Sequence, residues 1–250
     1  MLKYINIIII NFLLLTFFNG NSFAKGIIAE YNVQWNGIIL GNIFWKYSIN
    51  EENYKFIIET KGVGVSSKLY PFYGKQSAEG LVQNDSFKPK TYNQVWKTKR
   101  RDKNTSIGFN KGRVEFFDIN PKETIVPYID FYKINNAVDP ISAALELIIS
   151  GDNRIIKNIF DGRRVYNLGL KNKKDLINYE DLNFSKVTSY ELDIKNYRNI
   201  WKDHNKKDLK KVIIITGAIE DKIVLPLKFI ITNKGLVFKI KYTRHKKSDW

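Results

Sequence analysis

The chain of 250 residues contains no cysteine and only two histidines. Without Cys there is no disulfide framework, no thiolate metal site, no cysteine nucleophile and no thiol to carry a lipid. Two His leave most zinc sites and nucleophile–histidine arrangements without their usual residues. His204 lies in Lys202-Asp203-His204-Asn205-Lys206 and His245 in Arg244-His245-Lys246-Lys247. Neighbouring cations oppose protonation and repel a metal, so both are expected on solvated surface. Also missing are G-x-S-x-G, H-E-x-x-H, a phosphate-binding P-loop and a dinucleotide fingerprint. Gly62-Val63-Gly64 follows a strand pattern with no helix signal behind it and reads as a turn. The sequence therefore offers no catalytic residue, no metal ligand and no cofactor, and a non-enzymatic protein is expected.

No apolar run reaches the ~20 residues that a membrane-spanning helix needs. The longest, 4–18, is interrupted by Asn6 and Asn11. It follows a short positive start, Met1-Leu2-Lys3, and is broken by Asn19-Gly20-Asn21. Ser22-Phe23-Ala24 then places small residues at the −3 and −1 positions of a cleavage site. This three-part pattern is that of a secretory signal peptide. The expected organisation is a leader over 1–24 and a single periplasmic domain over 25–250.

Charge is present in excess of one sign. There are 41 Lys+Arg against 25 Asp+Glu, a net +16. Loss of a leader whose one charge is Lys3 lowers this to +15. In an exported protein this balance points away from nucleic acid and toward anionic lipid headgroups or an acidic envelope polymer, with peripheral membrane contact. The basic runs are 97–101, 171–174, 206–211 and 244–247. A competing source is composition itself, since 35 Ile and 26 Asn beside abundant Lys are what an AT-rich genome produces.

The body of the chain alternates. Ile27, Ala29, Tyr31, Val33 and Trp35 share one face, with Glu30, Asn32 and Gln34 on the other. Period two with one polar side marks a half-buried antiparallel strand. Asn36-Gly37 reads as a tight hairpin turn into a second strand over 38–49. Further strands are expected at 54–61, 76–82, 90–99, 105–109, 113–118, 186–194, 211–219, 225–232 and 236–242. Asn110-Lys111-Gly112 and Asn233-Lys234-Gly235 have the chemistry of three-residue hairpin loops. One helix interrupts the series: Asp139 as N-cap, Pro140 in the first turn, Gly151 just past the end. Its residues Ile141, Ala143, Ala144, Leu145, Leu147, Ile148 and Ile149 cover most of its circumference, which marks a buried helix. The expected fold class is mainly β: an antiparallel meander forming a barrel or half-barrel, with one buried helix as plug or lid. The stretch 171–211 is Asn- and Lys-rich, and its topology stays open.

Two carboxylates among apolar strands, Glu79 and Asp161, are the candidates for hydrolase acid/base chemistry. Nothing in the sequence brings them together. The plainer reading makes Asp161-Gly162 a turn and pairs Glu79 with an Arg. Ligand-contact candidates are the aromatic loop Leu69, Tyr70, Phe72 and Tyr73; the helix residues Ile141, Leu145 and Ile148; and rim cations Arg100, Arg101, Arg163 and Arg164.

Several landmarks occur in a recognisable order: Tyr31 to Gly41, Thr60-Lys61-Gly62-Val63-Gly64, Ala78-Glu79-Gly80 and Pro89-Lys90-Thr91-Tyr92. Asp139-Pro140-Ile141-Ser142-Ala143, Asp161 to Tyr166 and Leu225-Pro226-Leu227 complete the series. In this the chain resembles the bacterial exported family of domain of unknown function 3108, over about 31–242. The resemblance implies an exported, mostly antiparallel β protein and transfers no activity or catalytic residues. Its general look is similar to the half-barrels that carry lipoproteins across the periplasm.

The leading expectation is thus a binding or carrier module whose curved sheet holds a lipid or other apolar, anionic envelope ligand. The alternative is an envelope scaffold or assembly factor that binds a protein partner. An outer-membrane barrel, suggested by the terminal Trp250, and a hydrolase rank below these. Residues 246–250 lack the alternating apolar face of a lipid-facing strand. Ligand identity, barrel closure and oligomeric state are not encoded legibly.

Overall fold

In the computed structural model the described residues are 25–248, apart from 51, 85, 178, 180–183, 202–208, 221–222 and 234. The expected leader, His204 and Trp250 lie outside them. Thirteen strands form one sheet: β1 Lys25–Trp35, β2 Ile38–Ile49, β3 Asn53–Gly62, β4 Phe72–Gln83, β5 Ser86–Thr98, β6 Asp102–Asn110 and β7 Arg113–Asn120, then β8 Ile155–Phe160, β9 Arg164–Leu176, β10 Lys186–Asn199, β11 Leu209–Glu220, β12 Ile223–Asn233 and β13 Leu236–Ser248. Helix α1 is Gly64–Leu69 and helix α2 is Pro140–Ser150. The spatial order is β7-β6-β5-β4-β3-β2-β1-β13-β12-β11-β10-β9-β8. Every ladder is antiparallel, and β1 meets β13 at the centre, for example Tyr31 opposite Tyr242.

The alternation seen in the sequence becomes the two faces of the sheet. Ile27, Ala29, Tyr31, Trp45, Tyr47, Tyr54, Phe56 and Tyr92 are buried on the concave side. The outer face carries residues such as Lys55, Lys61, Glu79 and Lys239, all exposed. Apolar-in and polar-out is the reverse of what lipid around a transmembrane barrel requires. Asn36 (φ 47°) and Gly37 (φ 82°) both take the left-handed conformation that a two-residue type I′ hairpin demands.

The sheet does not close. Its ends, β7 and β8, share no ladder among the described residues; the segment between them fills the seam. Ala137 N–H donates to Gly112 O (2.7 Å), and Phe160 N–H donates to Val138 O (2.9 Å). Phe117, Phe131, Phe160 and Trp201 pack across the gap, with ring centroids 4.7 Å apart for Phe117–Phe131 and 5.6 Å for Phe117–Phe160.

Helix α2 lies inside the curve and touches β4, β5, β8, β9 and β12. Its start is set by Asp139, whose Oδ1 accepts from the N–H groups of Ile141 (2.8 Å) and Ser142 (3.0 Å). Its end is set by Gly151 in the left-handed conformation (φ 58°). Glu146, part of the apolar-looking run, is almost fully buried. Its carboxylate accepts from Phe87 N–H (3.0 Å), Ser86 Oγ (3.4 Å) and Arg154 Nη1 (3.3 Å).

Several boundaries differ from the sequence expectation, each for a tertiary reason. Gly62-Val63-Gly64 leads into α1 rather than a simple turn, and Phe72 and Tyr73 open β4 rather than belonging to a loop. Strand β9 runs through the polar stretch 171–174 because β10 supplies its ladder, for example Lys171 opposite Glu191. Strand β13 extends to Ser248 along β1. His245 is half-buried, not solvated; its Nδ1 lies 2.6 Å from Tyr242 OH, and burial followed by Lys247 lowers its pKa.

Candidate ligand-binding cavity

The interior is not filled. Between α2 and the concave face lies a partly open cavity of about 300 Å³. Its wall comes from both halves of the chain: Tyr31, Ile43, Trp45, Phe56 and Ile58 on one side, and Leu170, Leu192, Ile214, Phe229, Ile231 and Ile240 on the other. Helix α2 contributes Pro140, Ile141, Ala144, Leu145, Leu147 and Ile148. Gln76 is the one lining residue with an amide.

The meander fixes where the cavity opens. In an antiparallel meander, alternate turns fall on the same edge of the sheet. One edge therefore collects the turns β1–β2, β3–β4, β5–β6, β8–β9 and β12–β13. Helix α2 is held to the other edge, because its partners Tyr54, Ser86 and Phe87 stand at the starts of β3 and β5. Toward the first edge, burial falls along β2, β3 and β4: from Trp45 to Ile43, from Phe56 to Ile58 and from Ala78 to Gln76. The helix is thus a plug at the far end, and the mouth lies on the β2–β4 side of the turn-rich edge.

The polar groups at the plug satisfy one another. Ser142 Oγ donates to Asp139 Oδ2, and Tyr54 OH, 2.5 Å from Ser142 Oγ, completes the chain. Burial raises the Asp139 carboxyl to about 6, against the opposing pull of its hydrogen bonds from Ser142 and Ile141. An aspartate and a serine in contact suggest a nucleophile pair, but no His among the described residues serves it. The trio caps a helix.

The cavity wall is different. Among the described residues, four buried side-chain polar atoms lack a hydrogen-bond partner, and two of them, Tyr31 OH and Trp45 Nε1, belong to residues of this wall.

At the mouth edge the structure gathers a basic cluster. Burial first, then Arg163 and Arg101, holds the Lys103 ammonium below its ordinary pKa, and Arg164 acts in the same direction. Arg163 pairs with Glu123 (2.6 Å) and Arg164 with Asp161 (3.1 Å). Four cations face two carboxylates. The same edge exposes apolar side chains, among them Ile38, Tyr70, Trp96, Val126 and Leu236.

The expected ligand residues divide accordingly. Ile141, Leu145 and Ile148 line the cavity. Arg101, Arg163 and Arg164 come together around Lys103, while Arg100 is exposed in the β5–β6 turn. Tyr70 is 81% exposed at the mouth edge. Phe72 meets Trp96 edge-to-face at 4.6 Å, and Tyr73 stands opposite Lys97. None of these three is a wall residue, and the Leu69 side chain is outside the described residues. Asp161 does form the expected turn, accepting from Arg163 N–H (2.8 Å) and Arg164 N–H (2.7 Å). Glu79 is exposed opposite Lys55 on the outer face rather than paired with an Arg. Among the residues that sequence reasoning passed over are Trp45, Phe56, Phe229 and Ile231 in the wall, and Lys103 at the rim. Only the inward parity of their strands could have signalled them.

Residues 30–214 match the family described as Protein of unknown function (DUF3108). The chain belongs to that family. No curated protein matches the sequence. Solved structures of similar shape include the beta-barrel-like protein of domain of unknown function DUF1849 from Brucella abortus, at 13% identity over 91% of this chain and 99% of that one, with a TM-score of 0.49. A putative outer membrane lipoprotein-sorting protein domain from Vibrio parahaemolyticus matches at 9% identity over 91% and 87%, with a TM-score of 0.35. A DUF1329 family protein from Desulfovibrio piger matches at 10% identity over 91% and 86%, with a TM-score of 0.26.

Proposed function

We propose that the protein is an exported, non-enzymatic binding or carrier module that buries the acyl chain of an anionic envelope lipid in the cavity beside α2. The cavity carries this reading. A recess of about 300 Å³ walled almost wholly by aliphatic and aromatic side chains would take the hydrocarbon surface of an occupant out of water, at ~25 cal/mol per Å². Its volume reaches the lower end of ligand sites, ~300–1,000 Å³, and its wall favours hydrocarbon.

The mouth supports the same reading. Exposed apolar side chains there would enter the headgroup boundary of a membrane, while Arg101, Lys103 and Arg163 attract anionic headgroups, each cation near a lipid surface being worth ~1 kcal/mol. Apolar burial supplies affinity, and charge supplies orientation. The leader pattern over 1–24 supports a periplasmic location.

The test is mass spectrometry of organic extracts from protein isolated from the cell envelope. Stoichiometric lipid is expected. Repeated absence of lipid, together with a stoichiometric protein in crosslinking, would replace this reading by the scaffold one.

A further inference from the structure

The alternation that governs the rest of the sheet stops at two hairpin tips. Ile38 and Ile39 open β2 and are 60% and 44% exposed; Leu236 and Val237 open β13 and are 46% and 38% exposed. Consecutive strand residues point to opposite faces, so at each tip both faces are apolar. The tips are neighbours: β1 lies between β2 and β13, and Trp35 at its end stands opposite both Ile38 and Phe238. Ile38 and Ile39 also lie past the end of the β2–β3 ladder, which stops at Gly41 opposite Gly62. Behind the tips the outer face turns basic. One row runs Lys228, Lys241, Asn32, Asn42, Lys61 and Tyr73 from β12 to β4, with Lys239 closer to the tips. That row holds no carboxylate. Glu30 and Glu59 stand in the row behind it, paired with Arg244 (2.9 Å) and Lys75 (3.5 Å).

We infer that the β1–β2 and β12–β13 tips are the membrane-docking element of this protein: Ile38, Ile39, Leu236 and Val237 enter one leaflet of an anionic bilayer, and Lys61, Lys239 and Lys241 meet its phosphates. This rests on the reading of the turn-rich edge as membrane-facing, not on what fills the cavity. The depth agrees. The lysine row crosses β2 at Asn42, three residues from Ile39, or about 10 Å at ~3.3 Å per residue. Interfacial segments sink their apolar side chains ~5–10 Å into the headgroup and acyl boundary. Lysine stems can lie along apolar surface while the ammonium stays at the charged plane. A protein groove would take one face of such a tip and leave the other in water, whereas a fluid apolar medium takes both. A second copy packed tip to tip would bring two lysine rows together with no acids between them.

The test uses the full-length protein, expressed and exported, with vesicles of phosphatidylglycerol and phosphatidylcholine. Because the chain has no cysteine, Ile39→Cys, Leu236→Cys and, toward the far end of β13, Lys246→Cys each take one environment-sensitive fluorophore. The two tip labels are expected to brighten on vesicles and to be quenched by lipids carrying a nitroxide on the acyl chain; the far label is not. In flotation, Ile39→Ser and Leu236→Ser should each weaken binding about fivefold. Lys239→Gln should do the same at low salt, while Lys246→Gln, with an equal change in net charge, should leave binding unchanged. All four side chains are exposed, so thermal unfolding should match the parent chain and guard against a folding artefact. Tip labels that stay in water on vesicle-bound protein would overturn the inference, as would equal losses from the two lysine variants, the sign of diffuse attraction. Crosslinks from the tips to one envelope protein or to a second copy, with the labels unquenched by lipid, would put a protein interface in its place. Uptake of N-phenyl-1-naphthylamine reads the cavity separately: no uptake with tip insertion intact would overturn the cavity reading alone.

Discussion

Two groups of buried polar side chains share one interior and are treated in opposite ways. At the plug, Asp139, Ser142 and Tyr54 form a closed chain of hydrogen bonds around the start of α2. In the cavity wall, Tyr31 and Trp45 keep their polar atoms unpartnered among the described residues. The first arrangement needs nothing from outside and fixes the helix. The second leaves two polar atoms without a partner among the described residues. Burial by itself therefore does not separate satisfied from unsatisfied polar groups in this fold; the state of their partners does.

That contrast can be broken by substitution. The largest effect is expected from Asp139→Ala, which strips two backbone N–H groups and Ser142 of their acceptor and should lower stability by about 3 kcal/mol. Urea unfolding measures it, and a loss below one third of that would make the cap incidental. Next comes a matched pair. Tyr54→Phe should cost about 1 kcal/mol, because it deletes a made hydrogen bond, whereas Tyr31→Phe should cost nothing in the lipid-free protein. Equal losses would erase the distinction between the two sites.

A pH series sharpens the same point. The Asp139 pKa is raised in the fold, to about 6 from the ordinary 3.8. Its protonation thus contributes stability that is fully present below the unfolded value and is lost as pH rises through about 6. Between pH 7.5 and pH 5 the protein should gain about 1 kcal/mol from this group. Asp139→Asn should remove that gain, read as the difference between the two urea midpoint curves.

The smallest effect on stability belongs to the rim. Arg101→Gln should change unfolding by less than about 0.5 kcal/mol, yet weaken binding to anionic vesicles about fivefold at low salt. Vesicle flotation in low and high salt reads it. Unchanged binding would separate the cluster from lipid.

What the sequence made legible was local. The alternation of 27–35, the Asn36-Gly37 turn and the Asp139/Gly151 caps depend on residues close in the chain, and all three formed as read. Long-range partners were not legible. Strand β9 passes through Lys171 to Lys174 only because β10 lies beside it. Glu146, a carboxylate within the apolar run of α2, is accounted for only by Phe87 and Arg154, which are distant in the chain or beyond the helix end. The basic cluster needed the β5–β6 and β8–β9 turns on one edge, a property of strand order. Helical wall residues were found because their periodicity is local. Tyr31 was visible on an apolar face and Trp45 was not singled out; whether either had a partner depended on every strand around it.

The cavity as an acyl-chain site is tested most directly by quenching Trp45, which lies in its wall. Lipid-stripped protein would be titrated with 9,10-dibromostearate, whose bromine atoms quench indole fluorescence on contact. The account predicts saturable quenching at one ligand per chain, with most of the quenched signal absent in Trp45→Phe. Quenching that never saturates, or that survives intact in Trp45→Phe, would place the fatty chain elsewhere and contradict it.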